Sequence, residues 1–209
     1  MNLFRLDTSI MPATSASSAL ADVVEAEWKA AHPDGSVTRR HLGNDPIPAD
    51  AWPLATRSRF LPEDQLTSEH RDALALADEL AAELQAADAV LLAVPLYNYG
   101  VSQHFKAWVD MIVHTTGNSG PALKGIPTVL VTVRGGAYGP GTRARAGTTR
   151  PRSHPRPDGH VAGRPHRRRT RTDLAGVKPE MDAFRELADD LHVRAQEAAR
   201  EAGRTLATR

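Results

Sequence analysis

The stretch AVLLAVPLYNYGVSQHFKAWVD, from Ala89 to Asp110, limits most strongly what this chain can fold into. Its first six residues are all apolar, which is typical of a strand covered by helices on both faces of a parallel sheet. Pro95 and the segment YNYG interrupt the run. Apolar residues then recur at helical spacing at Phe105, Trp108, Val109 and Ile112. This pattern predicts a buried strand, a loop, and a helix capped by Ser102.

Strands and helices alternate along the rest of the chain. NLFRLD (2–7) predicts a first strand, GSVTRRHLG (35–43) a second and IPTVLVTV (126–133) a fourth. One helix is predicted after the hydroxyl-rich segment that follows the first strand, with Ser17 or Ser18 as its cap. Another runs from Thr67 or Ser68 to about Ala87, and the proline-rich segment before it is predicted to be a loop. The alternation predicts a doubly wound parallel sheet in a single α/β domain, 1–209.

Composition excludes several classes of site. The 209 residues contain 41% hydrophobic and 24% charged residues, as expected for one globular domain, and no cysteine. The absence of cysteine rules out disulfides, thiolate metal sites and a thiol nucleophile, so redox chemistry would require a bound cofactor. The amino terminus does not resemble a secretion signal, and no apolar run is long enough to cross a membrane. We therefore expect a cytoplasmic protein with no membrane partner.

The loop after the first strand, TSIMPATSAS (8–17), is rich in hydroxyl groups and ends at a helix N-terminus. Hydroxyl and free N–H groups donate to a phosphate, and the positive end of the helix dipole favours its charge. The loop has neither lysine nor a Walker pattern, which argues against a nucleoside triphosphate with magnesium. The alternative is that these residues serve only as a helix cap and a polar turn.

Two further loops are predicted at the same edge of the sheet. PLYNYG (95–100) presents two aromatic rings and an amide that suit a planar ligand, although its tyrosines could instead cap the core with their hydroxyls in water. VRGGAYGPGT (133–142) contains two adjacent glycines that let a ring approach the backbone. A phosphate site beside two loops that accommodate a ring predicts a flavin mononucleotide (FMN) pocket.

The motifs also resemble a known family. SIMPATSASSALAD, GNDPIP, ALALADELAAEL, PLYNYGVSQHFKAWVD and VRGGAYGPGT occur in the order and spacing found in the FMN-dependent NADH azoreductases, also described as NADH:quinone oxidoreductases. The resemblance covers residues 1 to about 140 and 173 to the end. It implies a flavodoxin-like fold, a homodimer, and one tightly bound FMN per subunit that takes hydride from NADH and passes it to a quinone or azo compound.

The same resemblance implies which residues bind FMN. The phosphate contacts fall on Ser9, Ser15, Ala16 and Ser17. The isoalloxazine contacts fall on Leu96, Tyr97, Asn98, Tyr99, Val133, Arg134, Gly135 and Gly136. Ala16 and Val133 replace residues that are commonly polar in the family, so only their backbone contacts carry over. No catalytic acid or base and no metal ligand is assigned, because the flavin itself is the catalyst. His104 is interpreted as a solvated residue on a helix face, and neither it nor His114 is assigned a catalytic role.

One segment, 143–172, departs from the rest of the chain. Ten of its thirty residues are arginine and four are proline, without apolar periodicity, which predicts that the family's fourth helix and fifth strand are lost. Such arginine density is typical of a nucleic-acid-binding arm. This interpretation gives the alternative function, a non-catalytic flavodoxin-like binding module associated with nucleic acid. The last helix is expected to begin near Pro179 and to carry Phe184, Leu187, Ala188 and Leu191 on its apolar face.

We favour a different origin for this segment, a reading-frame shift in the gene or its sequencing, and so do not expect a nucleic-acid partner. Hypothetical GC-rich codons for 143–150, read one base earlier, can encode REGWDHA. Those for 159–171, read one base later, can encode DMWQADLTVVERE. Both peptides resemble what the family has at these places, and resequencing the locus tests the hypothesis.

Overall fold

The computed structural model of the protein describes residues 1–98, 100–116, 123–134, 169–172 and 185–208. In this part of the chain, a parallel sheet has the spatial order β2-β1-β3-β5-β6. Its strands are β1 (Asn2–Asp7), β2 (Ser36–His41), β3 (Ala89–Tyr97), β5 (Thr128–Arg134) and β6 (Arg169–Thr172). The short strand β4 (Gly100–Val101) pairs antiparallel with the end of β3. The predicted doubly wound sheet is confirmed.

Five helices lie within the described ranges: α1 (Ala16–Ala31), α2 (Ala51–Ser58), α3 (Ser68–Gln85), α4 (Gln103–Thr116) and α5 (Arg185–Ala207). The predicted cap of α4 is confirmed, since Ser102 Oγ accepts a hydrogen bond from the Phe105 N–H at 3.1 Å. Thr67 caps α3 in the same way. None of the helices in these ranges combines the length and apolar character needed to span a membrane.

Two local predictions were wrong. The cap of α1 is Ser15, whose Oγ accepts from the Ser18 N–H at 3.1 Å, and not Ser17 or Ser18. A 3₁₀ turn at Pro12–Thr14 leaves Ser15 in an extended conformation, so the helix begins at the next residue, Ala16. The proline-rich segment also contains α2. Pro53 lies in the first turn of α2, where its missing N–H would have no helical partner.

The helices form a layer on each face of the sheet. Along β1, Phe4 and Leu6 face the core under α2, α3 and α4, whereas Leu3 faces the core under α1 and α5. This alternation follows the two-residue period of a strand. Leu92 at the centre of β3 pairs in register with Leu6 on one side and Leu130 on the other. The sheet is therefore buried on both faces, as the apolar run in β3 predicts.

The atypical segment contributes one strand. We expected the fifth strand of the family to be lost, but β6 pairs in parallel with β5, Leu130 standing opposite Arg169. An edge strand needs a partner strand on one side only. The backbone of a segment without apolar periodicity is able to form those hydrogen bonds. The predicted loss of the fourth helix lies outside the described residues, as do Pro179 and Phe184. Leu191 is half-buried, and the buried positions of α5 follow it at Ala195, Ala199, Ala202 and Leu206.

Candidate functional site

A cleft of about 700 Å³ opens at the carboxyl ends of β1, β3 and β5. Its volume is typical of small-molecule and cofactor sites. Its walls contain nine of the predicted site residues: Ser9, Ser15, Ala16, Ser17, Leu96, Tyr97, Asn98, Val133 and Arg134. Tyr99, Gly135 and Gly136 lie outside the described residues. Described residues of the first two predicted loops, and the start of the third at Val133 and Arg134, thus line one cleft.

The first loop is anchored at its start by Thr8. The Thr8 N–H and hydroxyl both donate to the Ala93 carbonyl oxygen, each at 3.1 Å, and the residue is fully buried. The next residue, Ser9, is also buried, and its Oγ accepts from the Met11 N–H at 3.1 Å. Ser9 is therefore held at the base of the cleft, where its hydroxyl is oriented by the backbone of its own loop.

The same loop ends at the N-terminus of α1. Ser15 Oγ lies 3.0 Å from Ser17 Oγ, so the two hydroxyls share a hydrogen bond. The N–H groups of Ala16 and Ser17 belong to the first helical turn and have no intrahelical carbonyl partner. They lie at the positive end of the dipole of a 16-residue helix. Hydroxyl donors, unpaired N–H groups and a helix dipole at one place form a binding site for an anionic group.

The second loop closes against the first. The hydroxyls of Tyr97 and Ser9 lie 3.2 Å apart and share a hydrogen bond, although 88 residues separate them in the chain. Tyr97 pairs with Gly100 across a tight hairpin between β3 and β4. In this hairpin Asn98 has a φ of 47°, in the left-handed region that asparagine tolerates better than most residues. The strained turn exposes Asn98 at the wall of the cleft.

The third wall is the end of β5. Val133 stands opposite Pro95 and Arg134 opposite Leu96 in the parallel register. Arg134 is half-buried and brings a positive charge to the cleft. Among the described residues of the walls there is no carboxylate. The described part of the walls therefore carries no negative charge that would repel an anionic ligand.

Four described wall residues are absent from the predicted set, Thr14, Pro95 and the apolar pair Ile10 and Met11. The apolar pair is the informative omission. Their side chains line the cleft although both are more than half exposed. An apolar pair inside a polar loop was the available signal, because exposed apolar side chains beside a cleft indicate contact with a ligand or a partner. They give the mouth of the cleft an apolar edge next to its polar base.

The two histidines considered for proton transfer lie elsewhere. Neither His104 nor His114 is part of the described walls of the cleft. Burial and the nearby positive charge of Arg59 lower the pKa of His114, whose carbonyl oxygen accepts a hydrogen bond from the Arg59 guanidinium. The environment of His114 is thus explained by packing between α4 and the end of α2.

The described residues fit FMN. The hydroxyls of Ser9, Ser15 and Ser17, with the first N–H groups of α1, form a donor set for a phosphate. Leu96, Tyr97 and Val133 also line the cleft and offer apolar surface to a planar ring. The donor set contains no lysine or arginine, so hydroxyls, amides and the helix dipole would hold the phosphate.

Comparison with known proteins agrees with this geometry. The sequence profile of the flavodoxin-like fold family matches residues 1–152. An FMN-dependent NADH:quinone oxidoreductase of Frankia casuarinae is 41% identical over 146 residues, which cover 68% of this chain and 69% of that protein. The family profile thus covers the sequences of all three predicted loops.

Solved structures resemble the chain in fold. The azoreductase of Bacillus anthracis str. Sterne superposes with a TM-score of 0.68 at 17% identity, covering 98% of this chain and 99% of that one. The FMN-dependent NADH-azoreductase of Bacillus anthracis str. Ames Ancestor, solved in complex with FMN, has a TM-score of 0.61 at 15% identity, covering 97% and 99%. At these identities the likeness concerns the fold alone.

Proposed function

This chain belongs to the flavodoxin-like fold family, and from that premise we propose that it is an FMN-dependent oxidoreductase that passes hydride from NADH to quinones and azo compounds. The similarity to the Frankia casuarinae NADH:quinone oxidoreductase supports this activity. The alternative, a non-catalytic flavodoxin-like module that binds nucleic acid, has no comparable support in the described residues. The observation that carries the proposal is the single cleft that joins the anion-binding start of α1 to the aromatic loop after β3.

The residues of the cleft divide between the two ends of FMN. We assign the phosphate to Ser9, Ser15 and Ser17 with the backbone of Ala16. We assign the isoalloxazine to Leu96, Tyr97, Asn98, Val133 and Arg134, together with Tyr99, Gly135 and Gly136 beyond the described residues. Each end of the ligand then meets groups of matching chemistry, donors for the anion and apolar or aromatic surface for the ring.

When bound, FMN supplies the capacity to accept hydride from NADH and to donate it to a second substrate. The role of the chain's own residues is to bind FMN and to orient it. The hydrogen bond between the Tyr97 and Ser9 hydroxyls holds the ring side of the cleft at a fixed distance from the phosphate side. Arg134 adds positive charge near the ring side, where it favours a reduced, more electron-rich flavin. The apolar side chains of Ile10 and Met11 exclude water from the mouth of the cleft when a flat acceptor lies there.

A homodimer and a cytoplasmic location are part of the proposal. Phe60 is 82% exposed at the end of α2, and Trp52 and Val113, on α2 and α4, are about half exposed. The α2 and α4 helices are packed together, since the Lys106 ammonium of α4 lies 5.9 Å from the centre of the Trp52 ring. Large exposed apolar side chains on adjacent helices are typical of a protein interface, which supports pairing with a second copy. A reaction that consumes NADH suits the cytoplasm, where this reductant is produced.

Spectroscopy of the purified protein tests the function. We expect a yellow protein that binds one FMN per subunit and oxidises NADH rapidly when a quinone or an azo dye is added. The loss of NADH absorbance measures this oxidation. A colourless protein that neither takes up FMN nor oxidises NADH contradicts the proposal. Salt-sensitive binding of DNA by that colourless protein would favour the non-catalytic module.

A pair of serine variants tests the site. Ser17→Ala removes a buried hydroxyl from the anion-binding end, and we expect FMN affinity to fall by about tenfold or more, because hydrogen bonds to charged groups are strong. Ser58→Ala is the matched control, since the buried Ser58 hydroxyl donates to the Leu54 carbonyl oxygen within α2. Equal FMN affinity in the two variants, measured by flavin fluorescence titration, contradicts the assigned phosphate site.

A further inference from the structure

A buried arginine lies directly behind the anion-binding loop. Arg5, in the middle of β1, has a side chain that is only 7% exposed. An arginine guanidinium carries five N–H donors, and five hydrogen bonds are formed here. The acceptors are Asp7 Oδ2 at 2.8 Å, Asp7 Oδ1 at 3.2 Å, Asp22 Oδ1 at 2.6 Å, Glu25 Oε2 at 3.0 Å and the Ser18 carbonyl oxygen at 3.2 Å. The guanidinium is therefore fully satisfied in one orientation.

These acceptors lie on the strand and the helix that flank the loop. Asp7 is the last residue of β1, immediately before Thr8 and Ser9. Ser18 lies in the first turn of α1, and its N–H is capped by Ser15. A single planar group thus connects the strand from which the loop leaves to the helix at which it ends. Because the guanidinium is rigid, its bonds define the distance between Ser9 and Ser15 as well as the direction of the α1 axis.

The cluster also controls charge behind the loop. Asp7 and Glu25 are buried carboxylates, and without a cation they would repel an anion at the start of α1. Arg5 lies between them, and Arg39 on β2 makes a second ion pair with Glu25. Burial alone would lower the pKa of Arg5, but its hydrogen bonds to Asp7, Asp22 and Glu25 and the attraction of Asp7 raise it. The guanidinium therefore stays positively charged.

We propose that Arg5 is a positioning residue for the phosphate end of the flavin site: its five-donor fork holds the two ends of the anion-binding loop in the arrangement that a phosphate requires. Arg5 lies behind the loop and does not line the cleft, so it acts through Asp7 and Ser18. The inference rests on the proposed FMN site.

A second arginine provides the matched control. Arg40, on β2, has a side chain that is 12% exposed and forms ion pairs with Glu79, Glu83 and Asp45. Its hydrogen bonds to Glu83 and Glu79 raise its pKa despite partial burial. Arg40 thus resembles Arg5 in burial and in its carboxylate partners, but these partners lie on α3 and on the segment after β2, not at the ends of the loop.

The experiment compares FMN with riboflavin, which has the same ring without the phosphate. Arg5→Lys keeps the charge but loses the planar fork. We expect its FMN affinity to fall by about tenfold, from the loss of hydrogen bonds to charged groups, with riboflavin affinity changed by less than about twofold. Arg40→Lys should leave both affinities, and therefore their ratio, as in the unmodified protein. Both variants are compared by flavin fluorescence titration after circular dichroism has verified folding.

Asp22→Ala gives a second measurement if Arg5→Lys does not fold. The Asp22 side chain is 68% exposed, so its removal does not open the core. Loss of a negative charge would by itself strengthen phosphate binding, whereas loosening the Arg5 fork weakens it. We expect FMN affinity to fall by about twofold to threefold relative to riboflavin, since one of five bonds is lost. A rise or no change in this ratio overturns the positioning role.

The outcomes separate the two proposals. If the unmodified protein binds no FMN, the proposed function itself is overturned. If the unmodified protein binds FMN but Arg5→Lys and Arg40→Lys show the same ratio of FMN to riboflavin affinity, only the role of Arg5 is overturned. Equal losses of FMN and riboflavin affinity in Arg5→Lys would also overturn it, because a general structural defect does not distinguish ligands by their phosphate.

Discussion

The two faces of the sheet each bury one tryptophan, in different surroundings. Under α1 and α5, Trp28 packs with the His32 ring at a ring-centre distance of 4.8 Å and with Gly35, where an added Cβ would lie 2.6 Å from its ring. Under α2, α3 and α4, Trp108 packs with Phe4 and Phe105, at ring-centre distances of 6.1 and 6.0 Å. The ring of Trp28 thus lies against the backbone at Gly35, whereas the ring of Trp108 lies among two other aromatic rings.

This difference also follows the order of the chain. The buried residues under α2, α3 and α4 fall between Phe4 and Ile112, whereas those under α1 and α5 also include Ala195 to Leu206 of α5. The family profile ends at residue 152, before α5 begins. Even so, α5 packs on α1 through a regular series of small residues. The contribution of α5 to the core under α1 and α5 is therefore the direct test of whether the chain after the arginine-rich segment belongs to this fold.

The largest expected effect comes from removing either tryptophan. Trp28→Ala and Trp108→Ala should each lower the free energy of unfolding by about 3 to 5 kcal/mol, because both rings are almost fully buried. Urea unfolding followed by circular dichroism measures the loss. A much smaller loss for Trp28→Ala than for Trp108→Ala would mean that α5 does not close its face.

Overpacking the α1–α5 contact should have the next largest effect. A Cβ at Gly203 would lie 2.6 Å from the Val24 carbonyl oxygen and 2.6 Å from Glu27 Cβ. Gly203→Val should therefore lower the free energy of unfolding by about 1 to 3 kcal/mol. Ala198→Val, at an exposed position of the same helix, controls for helix propensity and should cost no more than about 0.7 kcal/mol. Equal losses in the two variants would contradict the close contact.

Removal of a helix cap should cost about the same on either face but affect the ligand on only one. Ser15→Ala and Ser102→Ala each remove a cap and should lower the free energy of unfolding by about 1 kcal/mol. Only Ser15 belongs to the cleft, so only Ser15→Ala should also weaken FMN binding. Fluorescence titration with FMN distinguishes them, and weaker binding in Ser102→Ala alone would contradict the site.

The smallest expected effects come from exposed ion pairs. Asp190→Asn on α5 and Asp110→Asn on α4 each break an i,i+4 pair, with Arg194 and Lys106 respectively. Each change should cost no more than about 0.5 kcal/mol, and Asp190→Asn slightly more, because an acid placed before its base suits the helix dipole better. Both differences should disappear in about 1 M salt, where charges are screened within a few ångströms. A difference that persists in salt would contradict a purely electrostatic origin.

Local patterns were sufficient to predict most of the fold. The unbroken apolar run of β3 and the helical spacing in α3 and α4 predicted both the element types and the layered sheet. Besides the fifth strand, which was expected to be lost and is present as β6, the failures were local. Ser15 rather than its neighbours caps α1 because a 3₁₀ turn precedes it, and α2 begins within a proline-rich segment. Competing caps within a run of serines have similar propensity, so the preceding turn decided between them.

The site was predictable as a set of loops and not as a set of contacts. The order of strands and helices was enough to predict that the carboxyl ends of β1, β3 and β5 face one cleft, and nine predicted residues line it. The hydrogen bond between Ser9 and Tyr97 joins residues 88 positions apart, and no local pattern predicts such a pair. The Arg5 cluster was missed because a charged residue within a strand normally indicates an exposed face.

By itself the sequence determined the alternation of strands and helices, the buried centre of the sheet and the three loops at its carboxyl edge, because periodicity and turn chemistry act between near neighbours. Tertiary structure alone decided the pairing of Ser9 with Tyr97, the burial of Arg5 among three carboxylates and the packing of α5 against α1. These contacts depend on distances between remote segments, which exist only after the sheet has assembled.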